Sequence, residues 1–181
     1  MCIRDRIKGG KSLHGEVKVS GAKNAVLPLM VAPLLSDEEC IVHNVPSLED
    51  IWVFLRLFKS FGVKAEFSKN TLRIRAKNIT NTVAPYALVK MLRASFWVLG
   101  PLIARAGHAQ VALPGGDAIG TRPVDLHLQG LVKMGAEVQM KNGVVHAYAP
   151  GGLKPCTILL CLLYTSPSPR DATLSRMPSS A

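Results

Sequence analysis

The sequence predicts an α/β (α+β) protein built from two copies of one unit: a helix, a strand, a second helix and a hairpin of two strands. Segment 33–46 recurs as 101–114, 68 residues later, with a proline at both ends of each copy. The second helix of each copy then ends at a glycine, Gly62 or Gly135, which suits a helix C-cap. A unit of about 70 residues cannot bury a core alone, so stacked copies are expected to share one.

The elements follow the same order in both copies. Residues 24–35 are apolar all round, which predicts a helix buried on every side. The next helix (48–61; 124–134) precedes two strands (63–67 and 71–75; 136–140 and 144–148), with Lys-Asn turns at 69–70 and 141–142. Residues 85–105 are expected to form one helix, amphipathic at first and apolar all round after Ala94.

Lys90, Arg93 and Trp97 fall at i, i+3 and i+7 of that expected helix and would share one face. A basic stripe with an aromatic ring could flank a nucleotide. A solvated edge beside a core tryptophan explains the same spacing equally well.

The second copy is five residues longer than the first, and the extra residues lie in the glycine-rich segment LPGGDAIGTRPVDLH at 113–127. Pro123 suits a first helical turn, which places Arg122 where a helix N-terminus favours anions. A mobile loop that carries Asp117 beside such a site could donate a proton to a phosphorylated substrate. A glycine-rich surface turn is the alternative, but an insertion in a matching scaffold favours function.

Lys23 and Asn24 open the first helix. A lysine there opposes the helix macrodipole unless an anion binds beside it. An exposed loop lysine is an equally good interpretation.

Composition limits the classes of protein. The net charge is +10, 48% of residues are hydrophobic, and no apolar run is long enough to span a membrane. The four cysteines form no metal or redox motif, which indicates reduced thiols in a cytoplasmic protein, and the five histidines lack metal spacing. Residues 1–6 and 161–181 differ in composition from the rest, and we take them to be non-native ends.

Three separated motifs, SGAKNAVLP, APYALVKMLRASFWVLGPLIARAG and LPGGDAIGTRPVDLHLQGLVKMGAEV, closely resemble the enolpyruvyl transferase family. Among its members they are most similar to the UDP-N-acetylglucosamine 1-carboxyvinyltransferases. The resemblance implies an inside-out α/β barrel of two similar domains, each with three copies of the unit, and an active site between them. Residues 22–160 would then be an incomplete first domain with about two units. Residues 7–21 would be a strand region that pairs with the missing second domain.

The implied reaction transfers the enolpyruvyl group of phosphoenolpyruvate to the 3′-hydroxyl of UDP-N-acetylglucosamine and releases phosphate, the first committed step of peptidoglycan synthesis. It implies no cofactor, metal, nucleic acid or membrane. By motif, Asp117 is the general acid, Lys23 and Asn24 contact phosphoenolpyruvate, Arg93 reaches the nucleotide sugar, and the uridine and diphosphate side is lined by Arg122, Pro123, Val124, Asp125 and Leu126.

Two departures from the family pattern bear on activity. Many members have cysteine at the position of Asp117, and a carboxylate there should resist alkylation by fosfomycin. The family pattern also stops near Leu160, so the C-terminal half is missing and this polypeptide is expected to be inactive.

Two alternatives remain open. One is the related enzyme that acts on shikimate 3-phosphate, although the glycine-rich loop and RPVDL favour the nucleotide sugar. The other is a basic RNA-binding domain, which the few aromatic residues (5 Phe, 2 Trp, 3 Tyr) make a poor match.

Overall fold

The structure is a computed structural model that describes residues 8–10, 12, 14–115 and 123–158. Its first copy of the unit contains α1 (Lys23–Val31), a first 3-10 helix (Ala32–Leu35), β1 (Glu39–Val42), α2 (Glu49–Ser60), β2 (Lys64–Ser68) and β3 (Thr71–Arg75). The second copy contains β4 (Val83–Ala84), α3 (Tyr86–Val89), a second 3-10 helix (Arg93–Val98), α4 (Leu99–Ala106), β5 (His108–Ala112), α5 (Asp125–Lys133), β6 (Glu137–Lys141) and β7 (Val144–Tyr148).

The two sheets confirm the internal repeat. The first sheet has the order β1-β3-β2 and is antiparallel throughout. The second has the order β4-β5-β7-β6, in which β5-β7-β6 repeats the first sheet and β4 adds a parallel edge to β5. The hairpin of each copy therefore pairs its last strand with the strand that follows the first helical segment.

Both hairpins close through two-residue turns, and one of these differs from the prediction. Lys69 and Asn70 have φ of 47° and 58°, as a type I′ turn requires. The equivalent turn residues in the second copy are Asn142 and Gly143, with φ of 51° and 73°, because Lys141 is still the last residue of β6. The predicted turn at 141–142 is thus one residue early; the Asn-Gly pair tolerates positive φ better than Lys does.

The first copy has one extra residue in its β ladder. Val42 lies opposite Leu72, yet the Val45 N–H donates to the Asn70 carbonyl at 2.8 Å, one residue out of register. Asn44, with φ of 56°, absorbs the difference. This β-bulge bends the chain where β1 leads towards α2.

One hydrophobic core joins the two copies. Helix α2 contributes one apolar face to this core. Its apolar residues recur at three- and four-residue spacing, and Ile51, Phe54 and Phe58 are all fully buried. Trp52 points away from this face and lies edge-on to Phe67, with ring centroids 5.6 Å apart.

The prediction that residues 24–35 are buried on every side is wrong. Leu29 and Leu35 are 51% and 55% exposed, whereas Met30 and Leu34 are fully buried. An apolar helix is buried only where neighbours exist, and the described residues of the two copies cover one of its faces.

The prediction of one helix over 85–105 is also wrong. The helix stops after α3, Leu92 is extended (φ −148°, ψ 124°), and helical structure resumes at Arg93. The Ser95 hydroxyl, fully buried, donates to the carbonyl of Val89 at 3.0 Å and contacts that of Leu92, so a side-chain bond links the second 3-10 helix to the end of α3 across the break. The expected common face of Lys90, Arg93 and Trp97 is lost, because a single helical phase does not run through them.

The segment before α1 contains no strand among its described residues 14–21, and Val17 and Val19 are 90% and 82% exposed. Its pairing with a further domain stays a prediction. In the described part of the chain, every helix is too short or too polar to cross a membrane.

Candidate functional site

The first helical segments of the two copies lie side by side and run in the same direction. Helix α1 packs against the second 3-10 helix, and the first 3-10 helix packs against α4. The N-terminal part of one helical segment therefore contacts the N-terminal part of the other, and the C-terminal parts do the same. Lys23 is the first residue of α1, and Arg93 is the first residue of the second 3-10 helix. Both side chains are exposed, and the structure therefore brings these two predicted ligand-binding cations to the same end of the helix pair.

Arg105 forms hydrogen bonds at the opposite, C-terminal end of this helix pair. Its guanidinium, in the last turn of α4, donates to the Leu34 carbonyl at 3.4 Å and to the Ala76 carbonyl at 3.2 Å. These bonds join the second copy to the C-terminal end of the first 3-10 helix and to the residue after β3. Sequence reasoning missed Arg105, although a basic residue in the last turn of a helix is a known signal.

An acidic residue that the sequence analysis did not single out holds Lys23. The Lys23 Nζ lies 2.7 Å from Oδ2 of Asp50, which belongs to the first turn of α2. The side chain of Lys23 is 51% exposed and that of Asp50 only 24%. The carboxylate offsets the unfavourable position of a lysine at a helix start. The two residues are 27 positions apart, so nothing local in the sequence connects them.

A close backbone approach explains how they meet. A Cβ on Gly21 would lie 1.8 Å from the carbonyl oxygen of Asn44, so only glycine permits this contact. The bulged residue Asn44 and the chain that follows it lead directly into α2. The segment before Lys23 is thus pressed against the segment before Asp50.

The glycine-rich loop begins with a second close approach. A Cβ on Gly115 would lie 2.0 Å from the carbonyl oxygen of Lys90, in the helix break that precedes Arg93. The start of the loop therefore lies beside the segment that presents Arg93. Asp117 and Arg122 lie outside the described residues.

Lys90 does not join Arg93 and Trp97 in one stripe. Its Nζ lies 5.6 Å from the centre of the Tyr86 ring, a cation–π distance. Trp97 is 37% exposed.

The residues after the loop take different environments. Helix α5 begins at Asp125, so Pro123 precedes the first turn and does not occupy it as predicted. Val124 is buried in the core, which leaves its backbone, not its side chain, for any ligand contact. Asp125 is exposed in the first turn of α5. Leu126 lines a mostly apolar cavity of about 280 Å³ with Phe96, Trp97 and His127, among others.

The remaining polar candidates add little. Asn24 is exposed on the first turn of α1. Within ranges 14–115 and 123–158, no three His, Cys, Asp or Glu side chains form a group that could hold a metal ion. The exposed ammonium and guanidinium groups of Lys23 and Arg93 fit an anionic ligand.

Solved structures of enolpyruvyl transferases have the same architecture as this chain, which therefore has the enolpyruvyl transferase fold. The enolpyruvyl transferase NikO from Streptomyces tendae matches with a TM-score of 0.71 and 24% identity, covering 83% of this chain and 33% of that one. An EPSP synthase from Acinetobacter baumannii matches with a TM-score of 0.55 and 20% identity, covering 75% and 32%. At these identities the matches establish the fold alone, which confirms the predicted fold class.

The sequence places the chain more narrowly. It belongs to the EPSP synthase (3-phosphoshikimate 1-carboxyvinyltransferase) family, whose sequence profile matches residues 7–155. A relative from Rhodopseudomonas palustris (strain BisB5) is 53% identical over 165 residues, covering 86% of this chain. One from Thermotoga maritima is 50% identical over 141 residues, covering 78%. Both are named UDP-N-acetylglucosamine 1-carboxyvinyltransferase, and this chain spans 38% and 34% of their lengths.

Proposed function

We propose that residues 7–158 are part of an enzyme that transfers the enolpyruvyl group of phosphoenolpyruvate to the 3′-hydroxyl of UDP-N-acetylglucosamine and releases phosphate. The observation that carries the choice of substrate is the identity of about one half with relatives named for this reaction. The exposed cations at one end of the paired helices support it, because both substrates are anionic.

The motifs shared with the family assign a separate task to each group. The 3′-hydroxyl gives up its proton to a base as its oxygen adds to C2 of phosphoenolpyruvate, and C3 gains a proton from an acid; C3 then loses a proton, the C2–O bond to phosphate breaks and phosphate leaves. Lys23 and Asn24 contact phosphoenolpyruvate, Arg93 and Arg122 contact the nucleotide sugar, and Asp117 donates the proton to C3. An aspartic carboxyl with an ordinary pKa of about 4 is mostly ionised at neutral pH, so this donor needs desolvation or a nearby phosphate.

The same chemistry on shikimate 3-phosphate is the second candidate, and the description of the matching family favours it. Phosphate release by an enzyme of the relatives' length that contains residues 7–158 separates the two. We expect turnover with UDP-N-acetylglucosamine and background release with shikimate 3-phosphate; the reverse result would refute the proposal. The 181-residue chain alone should release phosphate only at background level.

Alkylation tests the role of Asp117. Fosfomycin should form no adduct at this position in the long enzyme, because a carboxylate is a much weaker nucleophile than a thiolate. The variant Asp117→Cys should gain an adduct of one inhibitor per chain by mass spectrometry, and Asp117→Ser is the matched control. An adduct at Asp117 itself would contradict the assignment.

A further inference from the structure

The Lys23–Asp50 pair differs from the other ion pairs of the described residues. Arg56–Glu49 and Arg73–Glu39 join side chains that are all about half exposed or more, and exposed pairs contribute little to stability. The Asp50 side chain is 24% exposed and its Oδ2 atom is buried. A buried carboxylate needs a partner, because an uncompensated buried charge is strongly unfavourable.

The partner of Asp50 is held by charge at close range. Oδ2 lies 2.7 Å from Lys23 Nζ, a distance typical of a charge-assisted contact between an ammonium and a carboxylate. An ammonium group has three N–H donors, so it can face Asp50 and an anion at the same time.

The carboxylate is itself firmly placed. Asp50 lies in the first turn of the twelve-residue α2, one residue before the fully buried Ile51. Lysine has a flexible four-carbon stem, and confining it costs rotamer entropy that a fixed partner can offset before any substrate binds.

We propose that Asp50 is a positioning residue that holds the Lys23 ammonium at the N-terminal end of α1, ready for the anionic groups of phosphoenolpyruvate. The proposal rests on the proposed function and adds to it a residue that contacts no substrate. Asp50 acts on phosphoenolpyruvate affinity through Lys23.

The test uses the long enzyme and the variant Asp50→Asn, which keeps the size of the side chain and removes its charge. We expect the KM for phosphoenolpyruvate to rise about tenfold, with the KM for UDP-N-acetylglucosamine within twofold and kcat within threefold of wild type. Asp50→Glu, which restores the charge, should bring the KM back to within about threefold.

Glu49→Gln is the matched control, because it removes the neighbouring acid, whose partner is the exposed Arg56. It should leave all three constants within twofold. A merely structural role for Asp50 would lower the amount of folded enzyme and so kcat, without a selective change in KM.

The outcomes are separable. An unchanged KM for phosphoenolpyruvate in Asp50→Asn, or an equal rise in Asp50→Glu, overturns the positioning role while leaving the proposed function intact. A wild-type long enzyme that uses neither acceptor overturns both. If Asp50→Asn does not fold, Asp50→Ala takes its place: a KM for phosphoenolpyruvate within twofold of wild type overturns the proposal, and a rise of about tenfold supports it.

Discussion

Replacing Gly21 with alanine should destabilise the fold by a predictable amount. The added Cβ would lie 1.8 Å from the Asn44 carbonyl oxygen and 3.2 Å from Cδ of Pro46, where ordinary contact begins at 3.4 Å. The obstacle is backbone, which cannot rotate away like a side chain, so the two segments must separate by about 1.6 Å. Gly21 lies outside the left-handed region, so these close contacts, and not its backbone conformation, are the source of strain.

Forced insertion of a methyl group into a packed site costs about 1–3 kcal/mol. For a domain of this size, such a loss lowers Tm by roughly 3–9 °C. Urea unfolding of the 181-residue chain, followed by circular dichroism, measures the free energy, and a thermal scan measures Tm. The same displacement would carry Lys23 away from Asp50.

The variant Gly100→Ala provides the control. It lies in the first turn of α4, and a Cβ there would meet no atom within 4 Å. Helix propensity predicts a gain of up to about 1 kcal/mol. If the free energy of unfolding of Gly21→Ala lies within about 0.5 kcal/mol of the wild-type value, and Gly100→Ala is also stable, the close approach at Asn44 does not exist.

Two further variants test the packing of the copies and the surface of the first sheet. Arg105→Met keeps most of the side chain's length but leaves the Leu34 and Ala76 carbonyls without their donor, so urea unfolding should show a loss of about 1–3 kcal/mol; a loss below 0.5 kcal/mol would mean that water replaces the bonds at no cost. Lys64→Glu replaces a like-charge pair opposite Arg75 and should gain about 0.2–1 kcal/mol, a gain that salt weakens; lower stability at low ionic strength would contradict the assigned register.

Local patterns were enough to predict the repeat and most of its elements. The helices α2 and α5 begin and end within about one residue of the predicted bounds, because amphipathic spacing and the glycines at 62 and 135 are short-range signals. Both glycines have the positive φ expected at a C-cap, 80° and 91°.

The site was only partly visible in the sequence. Lys23 and Arg93 were identified by motif, and the structure brings them to one end of the helix pair; Asp50 was missed because first-turn acids are common and its partner is distant in sequence. The break before Arg93 was missed because the Ser95 hydroxyl that supports it looks, in the sequence, like any serine in an apolar segment.

The amino-acid sequence by itself determined the repeating order of helices and strands, since periodicity, prolines and C-cap glycines act over a few residues. Only the tertiary structure decided which ends of those elements meet, because that depends on contacts such as Gly21 with Asn44 and Arg105 with Leu34. Such contacts form between residues that are remote in the chain, where steric fit and the charge of a buried carboxylate, not local propensity, select the partner.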